Sequence, residues 1–313
     1  MKRRILCGLL LLPALLVAQP KLRNAKLENR TGALDAQLKA ILSSQVDAAW
    51  VGYSVPIVAG EHRSCCWYSD NGSSYAGCML EEGEVPRGTV AQPSPIHLES
   101  AKELHVLLRV ENKQVTRIRS YSSDCELDAG GTTVYWLAAV RPADSVHLLE
   151  SYLKDTSGDT ARQRDRVRGG ALSAISLHAD PSAEALLERL APTERQAVHG
   201  LANRPEALPF LLNMAKNDPS PRTRGEVLGM LADRAGIKAI PAIQDAINRE
   251  TDKEGLRPAV RALARLPKEE GVPLLIQVAK THKNPEARKE AMQALSRSKD
   301  PRATAFFEEV LNK

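Results

Sequence analysis

The stretch Asn284-Pro285-Glu286-Ala287-Arg288-Lys289-Glu290-Ala291-Met292-Gln293-Ala294-Leu295 decides the fold of the second half of the chain. Ala287, Ala291, Met292 and Leu295 fall at helical spacing on one face. Asn284 offers a side-chain oxygen to the unpaired amides of the first turn, and Pro285 follows where a missing N–H costs nothing. The same signals stand 32 and 64 residues earlier: Val227, Ala259 and Ala291 share one position, then Leu228, Val260 and Met292, then Leu231, Leu263 and Leu295. Ser220, Asp252 and Asn284 repeat the cap, with Pro221 and Pro285 behind the first and third. Pro209, Pro241 and Pro273, also 32 apart, each precede apolar residues. A fixed period near 30 with two apolar segments in each period predicts a repeated pair of helices.

The pattern extends in both directions. Phe306 and Phe307 fall one period after Leu274 and Leu275, which predicts a closing half-repeat. Upstream, Val167, Ala171, Leu172 and Ile175 before Asp180-Pro181 match Ala287, Ala291, Met292 and Leu295 before Asp300-Pro301, 120 residues on. Between them Ala185-Leu186-Leu187 and Val198-Leu201-Ala202 make a shortened pair, giving about five helical pairs from Ser145 onward. Pro258 is the misfit, because inside a second helix it delays or kinks it.

This half resembles the HEAT-repeat family, and within it the short bacterial HEAT-like repeats also found in phycobilin lyases; the residues that carry the resemblance are Asn284 to Leu295 and Lys299-Asp300-Pro301-Arg302-Ala303. The resemblance implies an α-solenoid whose second helices line a concave face that binds another protein or protein segment. It does not carry over an activity. The His-Glu pairs of the iron-binding deoxyhypusine hydroxylases are absent, since His147, His178, His199 and His282 precede Leu148, Ala179, Gly200 and Lys283.

On the second helices the polar residues Arg222, Arg224, Arg257, Arg261, Arg288 and Lys289 form the candidate partner-binding face, a weakly basic groove for an acidic segment or glycan. Glu226, Glu254, Glu286 and Glu290 nearby favour the plainer reading, a solvated face of mixed charge. The formal charge of +5 does not argue for nucleic acid, because three of the 43 basic residues are Lys2, Arg3 and Arg4. They precede an apolar run from Ile5 to Ala18, and together these residues read as a cleaved signal peptide over 1–18. Its removal takes none of the 38 acidic residues, so the charge falls to +2, and few aromatics accompany the basic residues of the second half. The run is too short for a membrane span and is interrupted by Pro13, so the mature chain is expected to lack an integral span and to be exported, periplasmic or secreted.

Export makes the four remaining cysteines, Cys65, Cys66, Cys78 and Cys125, disulfide candidates. Bonding of adjacent Cys65 and Cys66 strains the geometry, which leaves two arrangements: Cys65 with Cys78 and Cys66 with Cys125, or Cys65 with Cys125 and Cys66 with Cys78. With His62 these cysteines are also the constellation most able to hold zinc, but the spacing gives no C-x-x-C knuckle, so no metal and no cofactor is expected. His97 and His105 join no site that spacing reveals.

Eight of the twelve aromatic residues fall from Trp50 to Trp136, where β-branched and aromatic runs alternate with glycines. Strands are expected at Val51 to Val58, Ser64 to Ser69, Ser74 to Leu80, Leu104 to Val110, Val115 to Tyr121 and Thr132 to Ala139. Leu34, Leu38, Ile41, Leu42 and Val46 predict an amphipathic helix over 33–49. The expected organisation is a signal peptide over 1–18, a linker over 19–32, a small disulfide-braced α+β domain over 33–142 and the α-solenoid over 143–313. Ser54 lacks a Gly-x-Ser-x-Gly elbow, and there is no phosphate loop, H-E-x-x-H or dinucleotide fingerprint, so no catalytic residue is named. The functional expectation is a noncovalent protein-binding or scaffolding module rather than an enzyme. Two alternatives stand beside it: an exported enzyme with a metal or thiol site in the first domain, and an envelope glycan binder using Trp67, Tyr68 and Tyr75.

Overall fold

The computed structural model describes residues 20–60, 65, 67–70, 73–76, 78–81, 101–154, 158 and 160–312, with 67–70 and 73–76 by backbone alone. The signal peptide over 1–18, His62, Cys66 and His97, and the side chains of Trp67, Tyr68 and Tyr75, lie outside the described residues. The chain divides into two units, the second opening at Pro142 and taking in Pro56, Ile57 and Val58.

The first unit runs β1 (Lys21–Arg23), β2 (Lys26–Arg30), α1 (Leu34–Ser44), β3 (Ala49–Pro56), β4 (Trp67–Asp70), β5 (Ser73–Ala76), β6 (Cys78–Met79), β7 (Glu103–Glu111), β8 (Gln114–Ser122), β9 (Glu126–Asp128) and β10 (Thr133–Leu137). Five strands form one sheet in the order β2-β10-β3-β7-β8. β10 pairs in parallel with both β2 and β3, setting Val134 beside Leu27 and Trp50, while β7 turns antiparallel into β8. That turn holds Asn112 and Lys113 at φ 50° and 62°, the left-handed pair of a two-residue hairpin. The short β1 and β6 both pair in parallel with β9, and β4 with β5 makes an antiparallel hairpin.

Alternation puts Trp50, Gly52 and Ser54 on one face of β3, and register puts Trp136 beside Gly52. A Cβ on Gly52 would stand 2.6 Å from the Trp136 ring, so only glycine lets the indole lie across the strand. Around the two tryptophans gather Leu80, Leu107, Leu127 and the buried Cys78 and Cys125. The stretch 19–32, expected as a linker, is part of this unit: it forms β1 and β2, and Leu22 and Ala25 pack against that core. Helix α1 buries Leu34, Leu38 and Ile41 as its period requires, but it ends at Ser44 and leaves Val46 56% exposed.

Cys65 and Cys125, 60 residues apart in sequence, are joined by a disulfide with 5.7 Å between their Cα atoms. Of the two arrangements open to the sequence, this is the one that leaves Cys66 for Cys78, and Cys78 is likewise disulfide-bonded.

The second unit is helical: α2 (Pro142–Lys154), α3 (Ala161–Leu177), α4 (Pro181–Leu190), α5 (Arg195–Ala202), α6 (Leu208–Asn217), α7 (Pro221–Ala235), α8 (Ile240–Arg249), α9 (Lys253–Leu263), α10 (Lys268–Thr281), α11 (Pro285–Ser296) and α12 (Pro301–Leu311). Each odd-numbered helix from α3 to α11 packs against the even-numbered one before it, and the odd-numbered helices also pack on one another in sequence order. The result is a row of five repeated pairs followed by α12. Pro56, Ile57 and Val58 lie against this unit, where Val58 N–H donates to Leu177 O at 2.8 Å and Ala179 N–H donates to Pro56 O at 3.0 Å.

The caps form where the period places them. Ser220 Oγ accepts from Thr223 N–H at 3.2 Å, Asp252 Oδ1 from Glu254 N–H at 2.7 Å and Asn284 Oδ1 from Glu286 N–H at 2.9 Å. Asp180 and Asp300 cap α4 and α12 in the same way. The residue two before the cap braces the loop by accepting the cap residue's own N–H: His178 Nδ1, Asp218 Oδ1, His282 Nδ1 and Ser298 Oγ do this at 2.9 to 3.2 Å. Pro258 does not end α9, which continues to Leu263. Its ring lies on α7 at Gly225, where a Cβ would come within 2.6 Å of the proline Cβ.

Candidate functional site

The residues that the sequence marks for binding sit on α7, α9 and α11, the second helices of three successive pairs. Their side chains reach sideways rather than outward. Arg257 Nε donates to Glu286 Oε1 at 2.7 Å, and Arg261 Nε donates to Glu290 Oε1 at 2.6 Å, two parallel rungs from α9 to α11. Arg265, just past α9, donates to Asp233 Oδ2 of α7 at 2.5 Å. Arg195 of α5 stands 3.4 Å from Glu226 of α7, and Gln196 of α5 donates to Ser173 Oγ of α3 at 2.8 Å. Every neighbouring pair of second helices therefore shares at least one polar side-chain rung.

These rungs correct the expectation of a basic groove. Arg224 turns inward, its guanidinium meeting the Glu250 carboxylate at 2.6 and 2.7 Å, with Nη1 donating to Asp218 O at 2.7 Å. Hydrogen bonding to Glu250 holds the Arg224 guanidinium above its ordinary pKa. Arg288, two periods later, makes the matching bond to His282 O at 2.7 Å. Arg222 is exposed and pairs with Glu226, one helical turn away on its own helix, at 3.0 Å. Arg257 holds the Glu286 carboxyl below its usual range. Of the six marked cations, Lys289 is the one that is exposed with neither an ion pair nor a hydrogen bond among the described residues. Positive charge on this face is thus largely spent on the protein's own carboxylates.

A buried pair in the first unit escaped the sequence reading, because nothing in a spacing of 51 residues signals it. Ser54 Oγ on β3 lies 2.8 Å from His105 Nδ1 on β7. Burial pushes the His105 imidazole down to about 4, against the pull of Asp124, and the ring meets Trp136 edge-on at 5.1 Å. Serine beside histidine is the first element of an activated nucleophile. Here the ring is fully shut off from solvent, so the contact holds a neutral imidazole between two strands. Among the described residues no group of three or more His, Cys, Asp or Glu side chains is placed to hold a metal ion. Among them, too, no helix is long and apolar enough to cross a membrane.

Consecutive antiparallel helix pairs of 32-residue period, capped alike and joined by side-chain rungs, define a helical-repeat protein. Residues 245–313 match the family model of HEAT repeats, and this part of the chain is a HEAT-repeat segment. A solved structure described as "Crystal structure of Kap121p" is similar over 49% of this chain at 15% identity and a TM-score of 0.29. The match spans 21% of the length of that structure's chain. No curated protein matches the sequence.

Proposed function

We propose that the chain is exported and that its helical half is an α-solenoid whose second helices line a concave face holding another protein noncovalently. The observation that carries this reading is the unbroken row of second helices, with HEAT repeats over its last part. Repeats of this kind offer an extended face for another protein. Because Arg195, Arg257, Arg261 and Arg265 are already neutralised by neighbouring carboxylates, recognition rests on shape and on neutral polar contacts more than on a basic field. The chain performs no chemistry of its own in this reading, and nucleic acid is not its partner.

Export is supported by the basic start and apolar run of 1–18 and by the Cys65–Cys125 bond, since disulfides persist in oxidising compartments. Two measurements test the reading. Intact mass of the protein from its native host is expected to lack 18 residues, and a mass that retains them overturns export. Photo-reactive residues at Gln196, Arg222 and Arg261 on second helices are expected to capture protein in cells, whereas the same residue at Gln244 or Gln277 on first helices is not. Equal capture from both sets, or none from the first, overturns the binding face.

A further inference from the structure

A groove of about 490 Å³ runs along α11 and α12, lined by Pro285, Lys289, Met292, Gln293 and Phe307 among others. The repeat itself says what such a groove holds. Met292 follows Leu228 and Val260 at intervals of 32, and those two are 1% and 0% exposed. Phe307 follows Leu211, Ile243 and Leu275 in the same way, and these are 2%, 0% and 2% exposed. In the earlier repeats a second helix lies against both the preceding second helix and its own first helix, as α9 does on α7 and α8, and α11 on α9 and α10. Met292 and Phe307 are instead half-buried and line open space.

The polar positions repeat as well. One period after the rung donors Arg257 and Arg261 stand Lys289 and Gln293, both exposed and both on the groove. In α9 the corresponding donors hold Glu286 and Glu290, four residues apart on α11, beside the fully buried Ala287 and Ala291.

We infer that the groove between α11 and α12 takes an amphipathic helix of a partner protein, bearing two carboxylates four residues apart beside a strip of small apolar side chains. The first carboxylate meets Lys289, the second meets Gln293, and the apolar strip covers Met292 and Phe307. This contact is separate from the binding face proposed above and stands or falls without it.

The test uses the full chain and a fluorescent, helix-stapled peptide of residues 283–298, which carries the required pattern. Saturable binding is expected by anisotropy. Lys289→Glu is expected to weaken it by about threefold, the scale of one exposed ion pair, and a Glu286→Lys peptide to recover the loss on that variant. Met292→Ser is expected to weaken it by about tenfold through lost apolar burial. The Glu286→Lys peptide on the unaltered chain reports the same rung without changing the protein, which covers a variant that fails to fold. Absence of saturable binding, or binding unmoved by all these changes, overturns the inference. So does a dimer in sedimentation velocity that Met292→Ser dissolves, because the occupant is then a second copy of this chain.

Discussion

Arg224 on α7 grips Glu250, the residue that closes α8, through two parallel hydrogen bonds, and both groups are nearly out of water: their side chains are 16% and 4% exposed. A fork-to-fork pair in this setting fixes geometry more than it adds net stability, because the attraction offsets a large desolvation cost. The asymmetry between removing one partner and removing both is therefore large.

Arg224→Ala is expected to destabilise the helical unit by about 3–5 kcal/mol, since it strands a buried carboxylate. The double variant Arg224→Met with Glu250→Leu is expected to fall within about 1 kcal/mol of the parent. Urea denaturation of the three proteins checks both numbers, and a double variant as unstable as the single one contradicts the account.

The outer rungs divide by how deeply the carboxylate sits. Glu290 is 4% exposed, so Arg261→Ala is expected to cost about 1–3 kcal/mol. Arg222 meets Glu226 across one exposed helical turn, so Arg222→Ala is expected to cost less than about 0.5 kcal/mol and to become neutral in high salt. Midpoints of the two variants in urea, with and without salt, separate the cases.

Two fully buried histidines make folding sensitive to acid. Burial lowers His105 and His178 from 6.5 to about 4, with Asp124 opposing at the first, and Asp180 opposing and Arg204 assisting at the second. Above pH 6.5 both are neutral folded or unfolded and contribute no pH dependence. Below it the unfolded chain takes up protons that the folded chain refuses, so stability falls until about pH 4, by roughly 2–3 kcal/mol for each histidine. Equilibrium unfolding between pH 7 and pH 4 checks this, and a flat profile over that range contradicts it.

Gly225 exists for its neighbour. Gly225→Ala sets a methyl group against the Pro258 ring and is expected to cost about 1–3 kcal/mol, with a smaller cost when Pro258→Ala is made alongside it. A double-mutant cycle measured by thermal melting gives the coupling, and strict additivity rules out the contact as the cause.

The helical half was legible because its stabilising features are local and recur: caps at Ser220, Asp252 and Asn284 and core residues at Leu231, Leu263 and Leu295 lie within one turn or one period of each other. The use of the arginines was not legible in the same way, because pairing depends on which helices touch. A signal was nevertheless present, since Arg257 to Glu286 and Arg261 to Glu290 are both 29 residues apart. The first unit resisted for a different reason. β10 joins β2 and β3 across about a hundred residues of sequence, and β1 and β9 are three residues each, too short for any alternation to show. The Ser54–His105 contact follows from that long-range pairing and had no local trace.

The braced caps bear on how this protein can change length. Ser220 and Asp252 occupy the same place in successive hairpins, each with its loop fastened by its own side chains, so cutting out residues 221–252 would splice one helix start onto the next without leaving a ragged joint. Arg224 and Glu250 both lie inside that excised length and would leave together, stranding no charge. The protein is in this sense built by the yard: a lineage or a designer can shorten or lengthen it by whole modules, in steps of 32 residues, while the seams stay sound.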